Sequence, residues 1–243
     1  MTRLVYGIQP VREVIKAHGE KVERVLVERG GGPKVEAVGR FAEGRGIAVE
    51  QVGRGDLDRR TQGGRHQGVI ALAPELRLWS IDDVPAGPES LTVALDGVMD
   101  PQNFGAVIRS AVALGATAIL WPEHASAPLS PATFRASAGA VEHARLCRVP
   151  SLPGALEDLA ARGVTAIALD AQGPVELGAL DLRGPVAIVI GAEDKGTRRG
   201  VRKACKHTAR LPMTGEIASL NASVAGAIAL YEVLRQRRPA PAG

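Results

Sequence analysis

Val186-Ala-Ile-Val-Ile-Gly191-Ala-Glu193-Asp-Lys-Gly196 decides how this chain is read. Five apolar residues running into a Gly-x-Glu-x-x-Gly loop describe a strand buried on both faces, as in a parallel sheet. Its carboxyl end opens onto a turn where backbone comes close to a bound molecule. Farther on, Leu211-Pro-Met213 and Ser219-Leu-Asn221-Ala-Ser223 set small hydroxyl and amide side chains just ahead of an apolar helix. Asn221 and Ser223 suit capping that helix, binding a ligand, or both. The pairing of the two loops predicts a single pocket.

Outward from that stretch, buried strands are expected at Leu91–Leu95, Ala118–Leu120, Ala166–Leu169 and Ala187–Ile190, separated by helical segments. That alternation is the pattern of an α/β parallel-sheet domain. Asn103 to Leu114 reads as an amphipathic helix with Ala106, Val107, Ser110, Ala111 and Leu114 on its packing face and Arg109 offset from it. Ala222 to Arg237 reads as a closing helix, whose Ala225, Ile228, Ala229 and Leu234 suit packing on the sheet or on a second subunit. Pro239 to Gly243 reads as a disordered tail. Upstream, helices around Pro10 to His18 and Val35 to Glu43 alternate with strands at Val22–Val27, Ile47–Val52 and Val69–Ala73, giving a small α/β unit. Pro74, Pro85, Gly87 and Pro88 then break the periodicity. The expected domains are residues 1–73, a linker at 74–90, and 91–243.

With 243 residues the chain is long enough to build aliphatic cores without staples. Two cysteines, no signal-peptide pattern and no membrane-length apolar run lead to the expectation of a reduced, cytoplasmic protein. Aromatic residues make up only 3%, which argues against nucleic-acid readers that stack bases on an aromatic platform. The net charge is +4, and Arg outnumbers Lys. Arg54, Arg59, Arg60 and Arg65 crowd one early loop with His66, while Arg198, Arg199, Arg202, Lys203 and Lys206 follow the Gly-x-Glu-x-x-Gly loop. Each alone suits a solvated face, but two such clusters favour an RNA or DNA partner.

The strand end Leu95-Asp96-Gly97-Val98-Met99-Asp100 lacks the Gly-x-Gly-x-x-Gly of a dinucleotide site, and no Walker-type loop or Gly-x-Ser-x-Gly elbow is present. His143, Cys147, Cys205 and His207 are zinc-type residues, but without a CxxC they read as ordinary core and surface positions, and no metal is expected. What remains is Asn103, Arg109, Glu193, Ser219, Asn221 and Ser223: a fixed positive charge, a carboxylate and several neutral donors. That set suits transfer chemistry on a phosphate-bearing substrate.

Asn103-Phe-Gly105 through Arg109, then Gly191-x-Glu193-x-x-Gly196, then Ser219-Leu-Asn221-x-Ser223 resemble the three motifs of the SpoU (TrmH-like) branch of the SPOUT methyltransferases. The resemblance covers roughly residues 91 to 237. Tyr6-Gly-Ile-Gln-Pro-Val and His66-Gln67-Gly68-Val-Ile-Ala look like the small L30e-like RNA-binding domain attached in the rRNA members. The resemblance implies S-adenosylmethionine as methyl donor, a ribose 2′-hydroxyl as acceptor, with a guanosine of 23S rRNA expected, a homodimer, and a carboxy-terminal trefoil knot. It implies cofactor contacts from Leu169, Gly191, Gly196, Leu211, Met213 and Leu220. Arg109 is implied as the central catalytic group, with Asn103, Glu193, Ser219, Asn221 and Ser223 around it. Arg54, Arg59, Arg60, Arg65 and His66 are the expected RNA contacts. Rival readings are a tRNA 2′-O-methyltransferase, a resistance-type rRNA methylase, and a non-catalytic ribosome-assembly factor.

Overall fold

Val25, Val27, Val69 and Ala71 bury one face of a short sheet because the pleat sends alternate side chains to the same side. In the computed structural model, which describes residues 2–193, 196–216 and 219–238, the chain forms two units. The first comprises Met1–Arg77 with Leu129–His143, and the second Leu78–Pro128 with Ala144–Gly243. Asp194, Lys195 and the tail expected at Pro239 to Gly243 lie outside the described residues.

In the first unit the strands are β1 (Thr2–Tyr6), β2 (Arg24–Glu28), β3 (Ala48–Val52) and β4 (Val69–Pro74), in the order β1-β4-β2-β3. β4 runs antiparallel to β1 and β2, and β3 parallel to β2. Helices α1 (Ile8–His18) and α2 (Pro33–Glu43) bury Val11, Val14 and Ile15, and Val35, Val38 and Ala42. These spacings, i, i+3, i+4 in α1 and i, i+3, i+7 in α2, supply one apolar stripe per helix. The segment read as an Arg-rich loop is instead helix α3 (Arg54–Thr61). Only Leu57 gives it an apolar anchor, packed with Tyr6, Leu26 and Ile70, so no hydrophobic period betrayed it.

Residues 129–143, expected in the second domain, belong to the first unit. The reason is a buried polar core: Glu142 accepts hydrogen bonds from Arg3 and from His18, the latter at 2.9 Å, and its side chain is fully buried. Arg135, at the end of α5 (Pro131–Ala136), donates to the Tyr6 hydroxyl at 2.8 Å, and His143 pairs with Glu13 at 2.9 Å. A Cβ on Gly139 would overlap Glu13 and Pro10, so only glycine lets this segment lie so close to α1.

The second unit is a seven-stranded parallel sheet in the order β7-β6-β5-β10-β8-β11-β9. Its strands are β5 (Leu91–Asp96), β6 (Ala118–Pro122), β7 (Leu146–Val149), β8 (Thr165–Leu169), β9 (Val175–Glu176), β10 (Val186–Gly191) and β11 (His207–Arg210). The four expected strands are present, while β7, β9 and β11 are short and carry no strong apolar run. One face packs on α6 (Leu152–Ala161) and α7 (Arg199–Ala204), through residues such as Leu156, Leu159 and Val201. α4 (Pro101–Ala113) and α8 (Ala222–Arg237) pack on each other, and α8 packs on β10. Gly226 allows this approach, because a Cβ there would stand 2.5 Å from the Ile190 Cδ1. Ile228, expected to pack on the sheet or on a second subunit, does not pack on the sheet and is 43% exposed in the single chain; the buried face of α8 is Ala222, Gly226, Ala229, Leu230 and Val233.

Most of the stretch read as a linker packs on the second unit. Val84 is buried in its core, and Arg162 donates to the carbonyls of Ile81 and Val84. Proline and glycine there mark turns within a folded segment, not a free tether.

Candidate active site

β5 and β10 pair residue for residue, which sets Asp96 opposite Gly191 at the carboxyl edge of the sheet. β6 and β7 extend the sheet to one side of β5 and β10 and β8 to the other, so this edge is the switch point where open α/β sheets bind ligands. A cavity of about 320 Å³ lies there, bounded by the ends of β8, β10 and β11 and the start of α8. Leu169, Gly191, Gly196, Leu211, Met213 and Leu220 all line it, together with Glu193 and Ser219. Asp170 and Gln172 also line it and were not foreseen from the sequence.

The Gly-x-Glu-x-x-Gly loop turns back upon its own strand. The Gly196 N–H donates to the Ala192 carbonyl at 2.8 Å, and Gly196 has φ +59. A Cβ on Gly191 would collide with the backbone of Gly196 and Thr197. Both glycines are therefore set by close backbone approach, as their spacing suggested.

Asn103, Glu193 and Asn221 converge from three segments. Asn103 Nδ2 donates to Glu193 Oε1 at 2.8 Å, and Asn221 Nδ2 donates both to Asn103 Oδ1 at 3.0 Å and to Glu193 Oε1. The other end of the Asn221 amide caps α8: its Oδ1 accepts from the Ser223 N–H at 3.0 Å, the Val224 N–H at 3.4 Å and the Ser223 hydroxyl at 2.6 Å. Asn221 thus caps the helix, one of the roles the sequence offered, and joins that cap to the loop carboxylate. Asn103 stands in the first turn of α4, which Asp100 caps through the Gln102 and Asn103 N–H groups at 3.2 and 3.1 Å. Ser219 is exposed at the cavity wall.

Arg109 does not join this cluster. Six residues beyond Asn103, it lies roughly 120° around a helix of about 3.6 residues per turn. It is exposed and makes no side-chain hydrogen bond or ion pair among the described residues. A pair the sequence did not reveal braces the loop instead: Arg198 donates through its backbone N–H and Nε to the fully buried carboxylate of Asp96. The only sequence signal was an acid at the end of an apolar strand.

In the first unit, Arg54 pairs with Glu28 at 3.6 Å, and Arg59 pairs with Asp56. Arg60 and Arg65 are exposed. His66 is 3% exposed, so it does not present itself to a ligand as expected. Its Nδ1 accepts from the Gly68 N–H at 3.0 Å and its Nε2 lies 2.9 Å from Asp58 Oδ1, ordering the turn. The neighbouring Gln67 Oε1 accepts from the Ile8 N–H at 3.0 Å, which joins the two amino-terminal motifs. Of the four zinc-type residues, His143 is held by Glu13 in the first unit, and Cys147 lies in the core of the second. Burial pushes the thiol of Cys147 up to about 11, and burial followed by the nearby Asp96 charge pushes that of Cys205 up to about 12. Among the described residues no cluster of three or more His, Cys, Asp or Glu side chains gathers as for a metal.

S-adenosylmethionine fits the cavity by volume and by chemistry. Pockets for molecules of this class run from about 300 to 1,000 Å³, and the aliphatic walls from Leu169, Ile190, Leu211, Met213 and Leu220 suit adenine and a thioether chain. The carboxylates of Asp170 and Glu193 suit a molecule bearing a sulfonium and an ammonium.

Residues 90–231 match the SpoU rRNA Methylase family, and residues 4–79 match the RNA 2'-O ribose methyltransferase substrate binding family. The 23S rRNA (guanosine-2'-O-)-methyltransferase RlmB of Pseudomonas syringae pv. tomato is 38% identical over 240 residues, covering 96% of this chain and 95% of that one. An uncharacterized tRNA/rRNA methyltransferase of Mycobacterium ulcerans is 39% identical, covering 98% of this chain and 78% of its own. Among solved structures, the SpoU methyltransferase AviRb from Streptomyces viridochromogenes in complex with AdoMet superposes with a TM-score of 0.80 at 29% identity, covering 97% of this chain and 90% of that one. With the motif residues gathered at one sheet edge and these likenesses spanning nearly the whole chain, the protein belongs to the SpoU rRNA methylase family of S-adenosylmethionine-dependent RNA 2′-O-methyltransferases.

Proposed function

We propose that this chain methylates the 2′-hydroxyl of a guanosine in 23S rRNA, acting as a homodimer in the cytoplasm. The observation that carries the reading is the Asn103–Glu193–Asn221 network at the mouth of the cavity. Bound S-adenosylmethionine supplies an electrophilic sulfonium methyl. Leu169, Gly191, Gly196, Leu211, Met213 and Leu220 hold it, and the Glu193 loop closes beside it. The trefoil knot of the family is part of this proposal; β10 lies between β5 and β8, and loops following β8, β10 and β11 line one cavity.

Arg109 is the proposed catalytic group. A guanidinium, with a pKa above about 12, donates hydrogen bonds and does not take up a proton at neutral pH. Its part is to orient the ribose hydroxyl and the adjacent phosphate and to stabilise the alkoxide as it forms, the proton passing to that phosphate. Asn103, Glu193 and Asn221 fix the loop, Ser223 holds the Asn221 amide, and Ser219 bonds loop backbone or RNA. Arg109 reaches the site from the second subunit in this proposal. Its separation from Asn103 on α4 supports that, as does the exposed stripe of Val224, Ile228 and Tyr231 on α8, which lies open in the single chain. The first unit binds the RNA through Arg54, Arg59, Arg60 and Arg65, with His66 ordering their turn.

Methyl transfer from labelled S-adenosylmethionine to unmodified 23S rRNA, 16S rRNA and bulk tRNA, run in parallel, tests the substrate. Label confined to 23S rRNA is expected. Label confined to tRNA would keep the chemistry and overturn the acceptor, and no label in any of the three would favour an assembly factor.

A further inference from the structure

The loop 170–174 and helix α7 frame a second cleft lined by Arg199, Arg202, Lys203, Thr208, Asp170 and Gln172. Resting on the reading above, we infer that this cleft seats the phosphate backbone of the substrate RNA. It forms an electrostatic footprint on the catalytic unit, separate from the arginines of the first unit.

The segment 196–210 carries Arg198, Arg199, Arg202, Lys203, Lys206 and Arg210 and no acidic residue. Acids elsewhere occupy three of these cations: Arg198 holds Asp96, Arg202 donates to Asp170 at 2.8 Å, and Arg210 lies 3.3 Å from Glu176. Arg199 and Lys203 are exposed and have no side-chain partner among the described residues. They are four positions apart on α7 and so share one face, the face that lines the cleft. In the first unit, Arg54 and Arg59 pair with acids while Arg60 and Arg65 stand exposed.

The chemistry of the lining selects the occupant. A guanidinium fork, an ammonium and the Thr208 hydroxyl are donors suited to phosphate oxygens. The residues lining the cleft include no aromatic ring, so a base finds nothing to stack on. Asp170 and Gln172 line this cleft and the cofactor cavity alike. Backbone held here therefore runs beside the methyl donor, where a ribose must be delivered. Arg202, pinned to Asp170, ties the two sites together.

The test uses the full chain carrying Arg199→Ala and Lys203→Ala together. Neither side chain has a described partner, so the fold is expected to persist, with S-adenosylmethionine affinity measured by calorimetry as the check. Binding to an unmodified 23S rRNA transcript is followed between about 50 and 200 mM salt. The double variant is expected to lower the magnitude of the log–log salt slope by about 2, roughly one per lost phosphate contact, and to weaken binding about tenfold at the upper end. The same loss of two charges in Lys34→Ala with Arg40→Ala, on α2, should leave the slope unchanged. A wild-type slope and affinity in the α7 variant overturns the inference. So does loss of polyglutamate binding with an unchanged RNA slope, which assigns the cleft to an acidic peptide. Failure of the wild-type protein to methylate the transcript, with the slope change still present, defeats the proposed acceptor and leaves the cleft as an RNA seat.

Discussion

Arg198 grips the carboxylate of Asp96 with both backbone and side chain: its N–H lies 2.7 Å from Oδ2 and its Nε 2.6 Å from Oδ1. Asp96 ends β5 and is wholly buried, whereas the Arg198 side chain is 52% exposed. The pair anchors Arg198, two residues beyond Gly196, to the strand that pairs with the one ending at Gly191, so it ties the far end of the loop that carries Glu193 back to the sheet. Arg198→Ala should cost about 2–4 kcal/mol of stability, less than a wholly buried pair because one partner is solvated. It should also weaken S-adenosylmethionine binding severalfold, with partial recovery in Arg198→Lys. Calorimetric titration alongside thermal melts checks this; a destabilised protein with wild-type cofactor affinity would mean that the pair serves the fold alone.

Asn221→Asp separates helix capping from loop assembly. The new carboxylate still accepts from the Ser223 and Val224 N–H groups, and a negative charge at a helix N-terminus is favourable. The donor to Glu193 and Asn103 is lost, and two carboxylates face each other instead. Stability should change by less than about 1 kcal/mol, while methyl transfer falls at least tenfold. If activity falls only as far as the melting temperature does, the network has no separate part in catalysis.

The thiols offer a check on the packing of the catalytic unit. With Cys147 raised to about 11 and Cys205 to about 12, both bind their protons throughout pH 7 to 9, where an exposed cysteine gains thiolate as pH rises. Neither should react appreciably with a disulfide reagent at pH 8 until denaturant is added. Rapid titration of two thiols in the native protein would contradict the burial described here.

Arg237, near the end of α8, donates to the carbonyls of Leu182, Glu89, Ser90 and Gly184, at 3.2, 2.9, 2.9 and 2.7 Å. Burial holds its guanidinium pKa down, but the charge remains at any working pH. Arg237→Ala removes every one of these bonds and should destabilise the protein by about 2–3 kcal/mol, on the scale of hydrogen bonds to a charged group. Denaturant unfolding measures it, with unchanged cofactor affinity expected, because none of these carbonyls lines the cavity.

The parallel sheet was legible because its central strands are continuous apolar runs, and α8 was bounded in the sequence just as in the structure, Asn221 before it and Arg237 at its end. α3 was not legible, since Leu57 alone among charged residues gives no period. The placement of residues 129–143 depends on Glu142 meeting Arg3 and His18 across long sequence separations, and no local pattern encodes that meeting. Within the site, residue types identified the Asn103, Glu193 and Asn221 positions. The Asp96–Arg198 brace joins residues far apart in sequence, so no local pattern encodes it, and Arg109 stands out by its type, while its orientation is set by helix geometry.

The most direct test of the central claim is the identity of the methylated product. RNA labelled by the purified protein is digested to nucleosides, and the labelled species is identified by mass and by resistance of its linkage to alkali. The account predicts 2′-O-methylguanosine from 23S rRNA, lost in Arg109→Ala with cofactor binding retained. Label on a base, or undiminished transfer by Arg109→Ala, would contradict it.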